Sequence, residues 1–127
     1  MVDDRVLSST KIINQAGNRE ALALWYKASL STVRDDYPDL SARQLVVLLA
    51  IATDKGPHTV RGLAELLGIT KPAICRALDS LSRYKMAQRV TDQKDRRNVF
   101  IMPTEEGINY LAELSETIMH QIKELQS

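Results

Sequence analysis

Apolar residues recur every three to four positions over several stretches of the chain, and this spacing predicts amphipathic helices. The first helix is predicted over residues 19–35, with Asn18 as its N-cap. Residues 1–17 lack the spacing and are predicted to form a partly ordered arm. The chain is therefore expected to begin with an arm and one helix.

The next two helices are marked by signals at their ends. Ser41 and Gln44 form a capping box in front of the run LVVLLAIA, and a helix that is apolar on most faces is expected at the centre of a domain. Residues 60–67 form the following helix, which Gly68 ends because glycine adopts the left-handed conformation easily.

A further helix is predicted over residues 71–84, with Thr70 as its N-cap. Together with the helix before it and the short turn between them, it forms a helix-turn-helix, whose second helix can enter the major groove of DNA. Its core-facing positions follow helical spacing: Ile74, Ala77, Leu78 and Leu81. The positions predicted to face outward are Lys71, Pro72, Ala73, Cys75, Arg76, Asp79 and Ser80.

Two short β-prone runs, 87–91 and 98–102, flank the polar segment DQKDRR and predict a β-hairpin with a basic tip. A hairpin directly after a helix-turn-helix is a wing, which can reach phosphates or the minor groove. Thr104 then caps the last helix. The apolar residues of that helix follow a three-four rhythm that Ser115 interrupts, as in a seam against a partner helix: Ile108, Leu111, Ile118, Ile122 and Leu125.

The net charge of +1 hides an uneven distribution along the chain. Residues 61–97 hold nine basic and four acidic residues, whereas residues 98–127 hold one basic and five acidic residues. A local positive patch of this kind is typical of a phosphate-binding surface, although a solvated face would have the same composition.

The sequence lacks the signatures of several classes of protein. The longest apolar run, residues 45–52, is too short to cross a membrane, and the acidic N-terminus does not resemble a secretory signal. The single cysteine, Cys75, cannot form an internal disulfide, which suits a reducing cytoplasm. No metal-ligand cluster, phosphate loop or nucleophile motif is present, so we expect no enzyme activity, catalytic residue, cofactor or metal.

Residues 40–107 resemble the multiple antibiotic resistance regulator (MarR) family. The likeness runs through LSARQLVVLLAIA and TVRGLAELLGITKPAICRALDSL, and its most specific part is DQKDRR followed by NVFIMPTEEG. This part resembles the wing signature of the family, an Asp-x-x-Asp-Arg-Arg loop followed by an apolar strand and a Thr-Glu-Glu-Gly helix start. The resemblance implies a mainly α fold with a small β-wing. It places a winged helix-turn-helix over residues 40–103, with dimerisation segments over 1–39 and 104–127.

The resemblance further implies a homodimer, more often a repressor than an activator, that binds pseudo-palindromic operators in double-stranded DNA. The helix over 71–84 would enter the major groove, and the wing tip over 92–97 would enter the minor groove. Asp95 would orient a wing arginine through an ion pair. The residues expected to contact DNA are Thr70, Lys71, Pro72, Cys75, Arg76, Arg83, Lys94, Arg96 and Arg97.

The chain departs from the family pattern at three points. Lys85 stands where the family usually has glycine, and Cys75 stands where it often has serine. The C-terminal region has room for one long helix instead of two, so the dimer interface is expected to be reduced or to be built with residues 1–36.

Some alternatives stay open at this stage. The domain could be a protein-interaction module instead of a DNA-binding one. Cys75 could be a redox switch or a simple replacement for serine. Asp79 could fix the rotamer of Arg76, three residues before it. A small aromatic ligand could bind among four side chains, or Trp25 could be core and the others surface: Trp25, Tyr26, Tyr37 and His58.

Overall fold

The computed structural model describes residues 3–13, 15 and 17–126. In this part of the chain there are six helices and one antiparallel pair of strands, so the predicted class, a mainly α winged helix-turn-helix, is confirmed. The elements in chain order are α1 (Asp4–Ile13), α2 (Asn18–Thr32), α3 (Ala42–Thr53), α4 (Val60–Leu67), α5 (Lys71–Arg83), β1 (Ala87–Thr91), β2 (Val99–Pro103) and α6 (Glu105–Gln126).

The chain divides into two compact units. Residues 38–112 contain α3, α4, α5, the β-hairpin and the first part of α6. The other unit contains α1, α2 and the part of α6 from Glu113 onward. The helix-turn-helix and the wing therefore lie within one unit.

Helix α3 lies at the centre of the 38–112 unit, as its apolar sequence predicts. Its Val47 and Leu48 are completely buried. Burial of each such side chain contributes about 1.5–3 kcal/mol. The other large side chains that are fully buried come from α4, α5 and β2: Leu63, Ile74, Leu78, Leu81 and Ile101.

The predicted caps of the central helices are confirmed. The backbone N–H of Gln44 donates to the Ser41 hydroxyl (3.1 Å), and the N–H of Ser41 donates to the Gln44 side-chain oxygen (2.9 Å). Gly68 ends α4 with φ +64°, in the left-handed region that favours glycine. The Thr70 hydroxyl accepts a hydrogen bond from the N–H of Ala73 at the start of α5 (3.3 Å).

The N-terminal prediction is wrong in part, because residues 4–13 form α1 instead of an arm. The Asp3 carboxylate accepts the N–H of Arg5 (2.8 Å), and the Asp3 carbonyl accepts the N–H of Leu7, so local hydrogen bonds start this helix without a full apolar period. Residues 1, 2, 14 and 16, which belong to the predicted arm, lie outside the described residues.

Helix α2 differs from its prediction at both ends. Its N-cap is Gly17 instead of Asn18, because Gly17 has φ +87° and its N–H donates to the Glu20 carboxylate (2.9 Å). The helix ends at Thr32 instead of residue 35. The Thr32 hydroxyl donates to the carbonyl of Ser29 (2.7 Å), a side-chain bond that competes with helix continuation.

The wing is an antiparallel hairpin in which Ala87 pairs with Pro103 and Thr91 pairs with Val99. Strand β2 begins one residue later than predicted, because Asn98 closes the loop by donating its N–H to the Asp95 carbonyl (2.9 Å). The N–H of Ile101 donates to the carbonyl of His58 (2.8 Å), so the segment before α4 adds a bridge to the base of the wing.

Lys85, which stands where the MarR family usually has glycine, lies in the turn between α5 and β1. Lys85 has φ +62°, so a lysine occupies the left-handed conformation in which glycine carries no penalty. The Thr104 hydroxyl donates to the Lys85 carbonyl (2.5 Å), which ties this turn to the start of α6. A side chain at Gly107 would collide with the Met86 carbonyl, so α6 approaches the turn closely.

Candidate nucleic-acid interface

Helix α5 presents its polar residues to solvent on the side opposite to the core. Lys71, Pro72, Arg76 and Arg83 are exposed, and Cys75 is partly exposed. Ala73 was predicted to face outward, and this is wrong, because only 6% of it is exposed. Its methyl group lies on the side of α5 that meets the start of α3.

The cations of α5 differ in their partners. Lys71 and Arg76 form no ion pair with any described residue. The Arg83 guanidinium donates to the Ser80 hydroxyl (3.2 Å) and lies 5.8 Å from the ring centroid of Tyr84. None of the three cations pairs with an acid among the described residues, and Lys71 and Arg76 also lack the neutral contacts that hold Arg83.

Asp79, the one acid on α5, has a partner on the wing. One of its oxygens accepts a hydrogen bond from Arg89 on β1 (2.9 Å). The hypothesis that Asp79 fixes the rotamer of Arg76 is therefore wrong. A contact between elements replaces the local pairing that i, i+3 spacing suggested.

The wing tip is organised by its two aspartates. Asp92 accepts the backbone N–H of Lys94 (2.9 Å), and Asp95 accepts the N–H of Arg97 (3.1 Å). Asp95 also binds the Arg97 guanidinium in two places, at 2.9 Å each. Hydrogen bonds from the Arg97 side chain and then from its backbone lower the pKa of Asp95, and the same contact raises the pKa of Arg97.

All the residues expected to contact DNA lie in the 38–112 unit. They form two groups, one along α5 and one in the loop between β1 and β2. The Thr70 hydroxyl is already engaged as the cap of α5, and Arg97 is engaged by Asp95 while its side chain stays 90% exposed. Lys94 and Arg96 are exposed, and neither forms an ion pair with a described residue.

The sequence missed one basic residue that the fold brings close to α5. Arg43, in the first turn of α3, lines an open groove of about 460 Å³ together with Arg76. Arg43 belongs to the charge-balanced segment 1–60, so counting charges along the chain gave no signal for it. Only the packing of α3 against α5 places the two arginines at one groove.

The four side chains suggested for an aromatic ligand divide between the two units. Trp25 is 53% exposed on α2, so the alternative that it belongs to the core is wrong. Desolvation, followed by the hydrogen bond with Glu113, raises the pKa of Tyr37. His58 lines a separate cavity of about 210 Å³ beside Phe100 and Met102 at the base of the wing.

Helix α2 exposes a stripe of large apolar side chains. They recur at helical spacing along the exposed part of the helix. A contiguous apolar surface on a protein exterior usually marks an interaction site. The exposed stripe consists of Leu22, Trp25, Tyr26 and Leu30 on α2 and Val33 directly after its end.

Helix α6 buries Tyr110 and Leu114, with 2% and 5% exposure. Two residues of the predicted seam, Ile108 and Leu125, are about half exposed. The other three are partly buried, so the seam is only partly open to a partner: Leu111, Ile118 and Ile122.

The sequence profile of the MarR family matches residues 39–98, which contain α3, α4, α5, β1 and the wing loop. Over these residues the chain matches the MarR family. The resemblance stated from the sequence is thereby confirmed, and the match favours a DNA-binding transcriptional regulator over a protein-interaction module.

Solved structures share the fold of this chain. Staphylococcus aureus MepR bound to ethidium bromide has a TM-score of 0.71 and 23% identity, over 83% of this chain and 74% of MepR. A MarR-like transcriptional regulator from Thermotoga maritima has a TM-score of 0.70 and 22% identity, over 99% of this chain and 82% of that one. A MepR variant bound to an oligodeoxyribonucleotide has a TM-score of 0.70 and 20% identity, over 98% and 83%. No curated protein sequence is significantly similar to the chain.

Among the described residues, no helix combines the length and the hydropathy of a membrane span. These residues also contain no group of three or more His, Cys, Asp or Glu side chains that would suit a metal ion.

Proposed function

We propose that this protein binds specific double-stranded DNA as a homodimer and represses transcription. Helix α5 enters the major groove, and the wing tip lies in the adjacent minor groove. The observation that carries the proposal is the set of unpaired cations on these two elements. Lys71 and Arg76 on α5 and Arg96 on the wing have no acidic partner among the described residues.

Unpaired guanidinium groups suit this role because they are free to bind phosphates and guanine edges. Each phosphate that a protein neutralises releases counterions, which favours binding at low salt. Arg76 is central on the outward side of α5, so we assign it a base edge or the nearest phosphate, and Lys71 a phosphate at the start of the helix. Pro72 and Cys75 supply apolar contacts of the kind that thymine methyl groups accept.

The wing completes the contact with the minor groove. Arg96 is free to enter the groove, where the negative potential attracts arginine. Asp95 holds Arg97 in a two-point ion pair and so limits the directions that Arg97 samples. In this proposal Lys94 binds the phosphate backbone beside the groove.

The homodimer is proposed to form through the open apolar surfaces of the terminal helices. The stripe on α2 and the seam on α6 expose large side chains that water solvates poorly, and a second copy would cover them. A twofold dimer reads two half-sites, so the operator should be pseudo-palindromic.

A small aromatic ligand is part of the proposal without an assigned site. MepR, which shares the fold, is solved with ethidium bromide. We propose that a ligand of this general kind relieves repression.

The experiment is selection of DNA from a random library, followed by anisotropy titrations of the selected site over a series of salt concentrations. We expect a pseudo-palindromic site, with affinity that falls steeply as salt rises. Arg76→Ala should relax the preference at one base step or weaken binding. The control is Arg61→Ala, since Arg61 on α4 pairs with Glu65 and should matter little.

Failure to enrich any site would count against sequence-specific binding. An interaction that barely responds to salt would instead favour the protein-interaction module, because a largely apolar interface is not screened.

A further inference from the structure

A groove separates the first turn of α3 from α5. It has a volume of about 460 Å³ and is open to solvent. Ser41 and Arg43 stand on the α3 wall, and Arg76 and Ser80 stand on the α5 wall. The small side chains of Ala73 and Ala77 form part of its lining, so the groove is wide enough to admit a bulky group.

The charge of the groove is entirely positive. Arg43 and Arg76 are the ionisable residues among those that line it, and neither forms an ion pair with a described residue. Two exposed guanidinium groups without a counterion favour a bound anion.

The groove lies on one flank of α5, and the wing lies on the other. Ala73, Arg76 and Ser80 follow helical spacing along the groove side. Asp79 and Ser82 lie on the wing side, where Asp79 pairs with Arg89 and Ser82 lines a small depression beside β1. On the wing flank Arg89 is thus offset by Asp79, whereas the cations on the groove flank have no acidic partner among the described residues.

We infer that the groove between α3 and α5 seats a phosphate of the DNA backbone and that Arg43 is the residue that holds it. This inference rests on the proposed function, because it assumes that α5 binds a duplex. It adds a contact with DNA outside both α5 and the wing. This contact would fix the orientation of α5 in the major groove of DNA. Phosphate contacts position a protein without reading sequence, so Arg43 should act equally on all sites.

If Arg43 had only a structural role, its removal would lower the thermal unfolding midpoint. Its side chain makes no hydrogen bond or ion pair with a described residue, so its removal should leave the thermal unfolding midpoint nearly unchanged. Any loss of DNA binding then reports on the contact with DNA and not on folding.

The test compares Arg43→Gln, Arg43→Lys and the parent protein by anisotropy on the selected site and on an unrelated duplex. Arg43→Gln should bind both duplexes about tenfold more weakly. It should also lower the slope of log affinity against log salt by about 0.9 for each subunit's lost contact. Arg43→Lys, which keeps the charge, should retain the parent slope.

The matched control is Lys55→Gln, an exposed cation just beyond the other end of α3. The 12 residues of α3 separate the two positions by about 18 Å along the helix. This variant should bind both duplexes as the parent does.

The outcomes separate this inference from the proposed function. If the parent binds DNA but Arg43→Gln keeps its affinity and salt slope, the inferred contact is wrong and the proposed function stands. The inference is also overturned if Arg43→Gln weakens only the selected site, or if Arg43→Lys loses the slope as well. If the parent binds no duplex, the proposed function fails first.

Discussion

Asp79 on α5 and Arg89 on β1 form an ion pair with 2.9 Å between a carboxylate oxygen and a guanidinium nitrogen. Their side chains are 64% and 38% exposed, so the pair is partly screened by water. It joins α5 directly to β1, the first strand of the wing. The two proposed DNA-binding elements are thus linked by side chains as well as by the turn at Lys85.

The first prediction concerns this link. A double-mutant cycle with Asp79→Asn and Arg89→Gln should give a coupling of about 0.2–1 kcal/mol in the free energy of unfolding, the usual range for an exposed pair. Amide hydrogen exchange in β1 and β2 should be faster in Asp79→Asn, because the wing loses an anchor. Unchanged exchange together with zero coupling would show that the pair does not hold the wing.

The second prediction concerns the pH dependence of the wing tip. Asp95 has a pKa below its ordinary value of 3.8 because it accepts hydrogen bonds from Arg97. A carboxyl group with a lowered pKa contributes stability above its unfolded pKa and loses it as pH falls through the folded value. The ion pair should therefore be intact at neutral pH and break only below 3.8.

NMR titration of the Asp95 side-chain carbon measures this directly. The midpoint should lie below 3.8 in the parent and return toward it in Arg97→Gln, which removes the donor side chain. Equal midpoints in the two proteins would rule out the ion pair in solution.

The third prediction concerns Lys85. Its φ of +62° carries a steric penalty that glycine lacks, so Lys85→Gly should raise the free energy of unfolding by about 1 kcal/mol. The control is Lys55→Gly, at an exposed lysine outside the left-handed region, where added backbone freedom should lower stability. Urea denaturation measures the free energy of unfolding of both variants. A loss of stability in Lys85→Gly would contradict the steric penalty inferred at Lys85.

The fourth prediction concerns the dimer. Trp25→Glu and Leu30→Glu each place a charge in the apolar stripe of α2 and should shift the protein from a dimer to a species near its chain mass of 14.3 kDa. Sedimentation velocity measures the mass. Lys55→Glu introduces a glutamate at an exposed position outside α2 and should stay dimeric. A parent protein that is monomeric at all concentrations would exclude this interface.

The sequence predicts those features that depend on neighbours along the chain. The Ser41–Gln44 capping box, the left-handed Gly68 and the hairpin around DQKDRR are local signals, and the structure contains all three. Helix α1 was missed because its start depends on hydrogen bonds to Asp3 instead of an apolar period.

Contacts between elements could not be predicted from the sequence. Local spacing suggested Arg76 as the partner of Asp79, whereas the fold brings Arg89 to it from the next element. Arg43 and Arg76 are far apart in the chain and share a groove only because α3 packs against α5. Such pairings depend on the arrangement of helices, which no local pattern encodes.

In the proposed complex, α5 and the wing tip contact one duplex together. NMR titration of the labelled protein with its selected DNA site tests this most directly, through the arginine side-chain signals. We expect the signals of Arg76 and Arg96 to shift and to saturate at the same DNA concentration, while that of Arg61, which is paired on α4, does not move. Shifts confined to one of the two elements, or none at either, would contradict it.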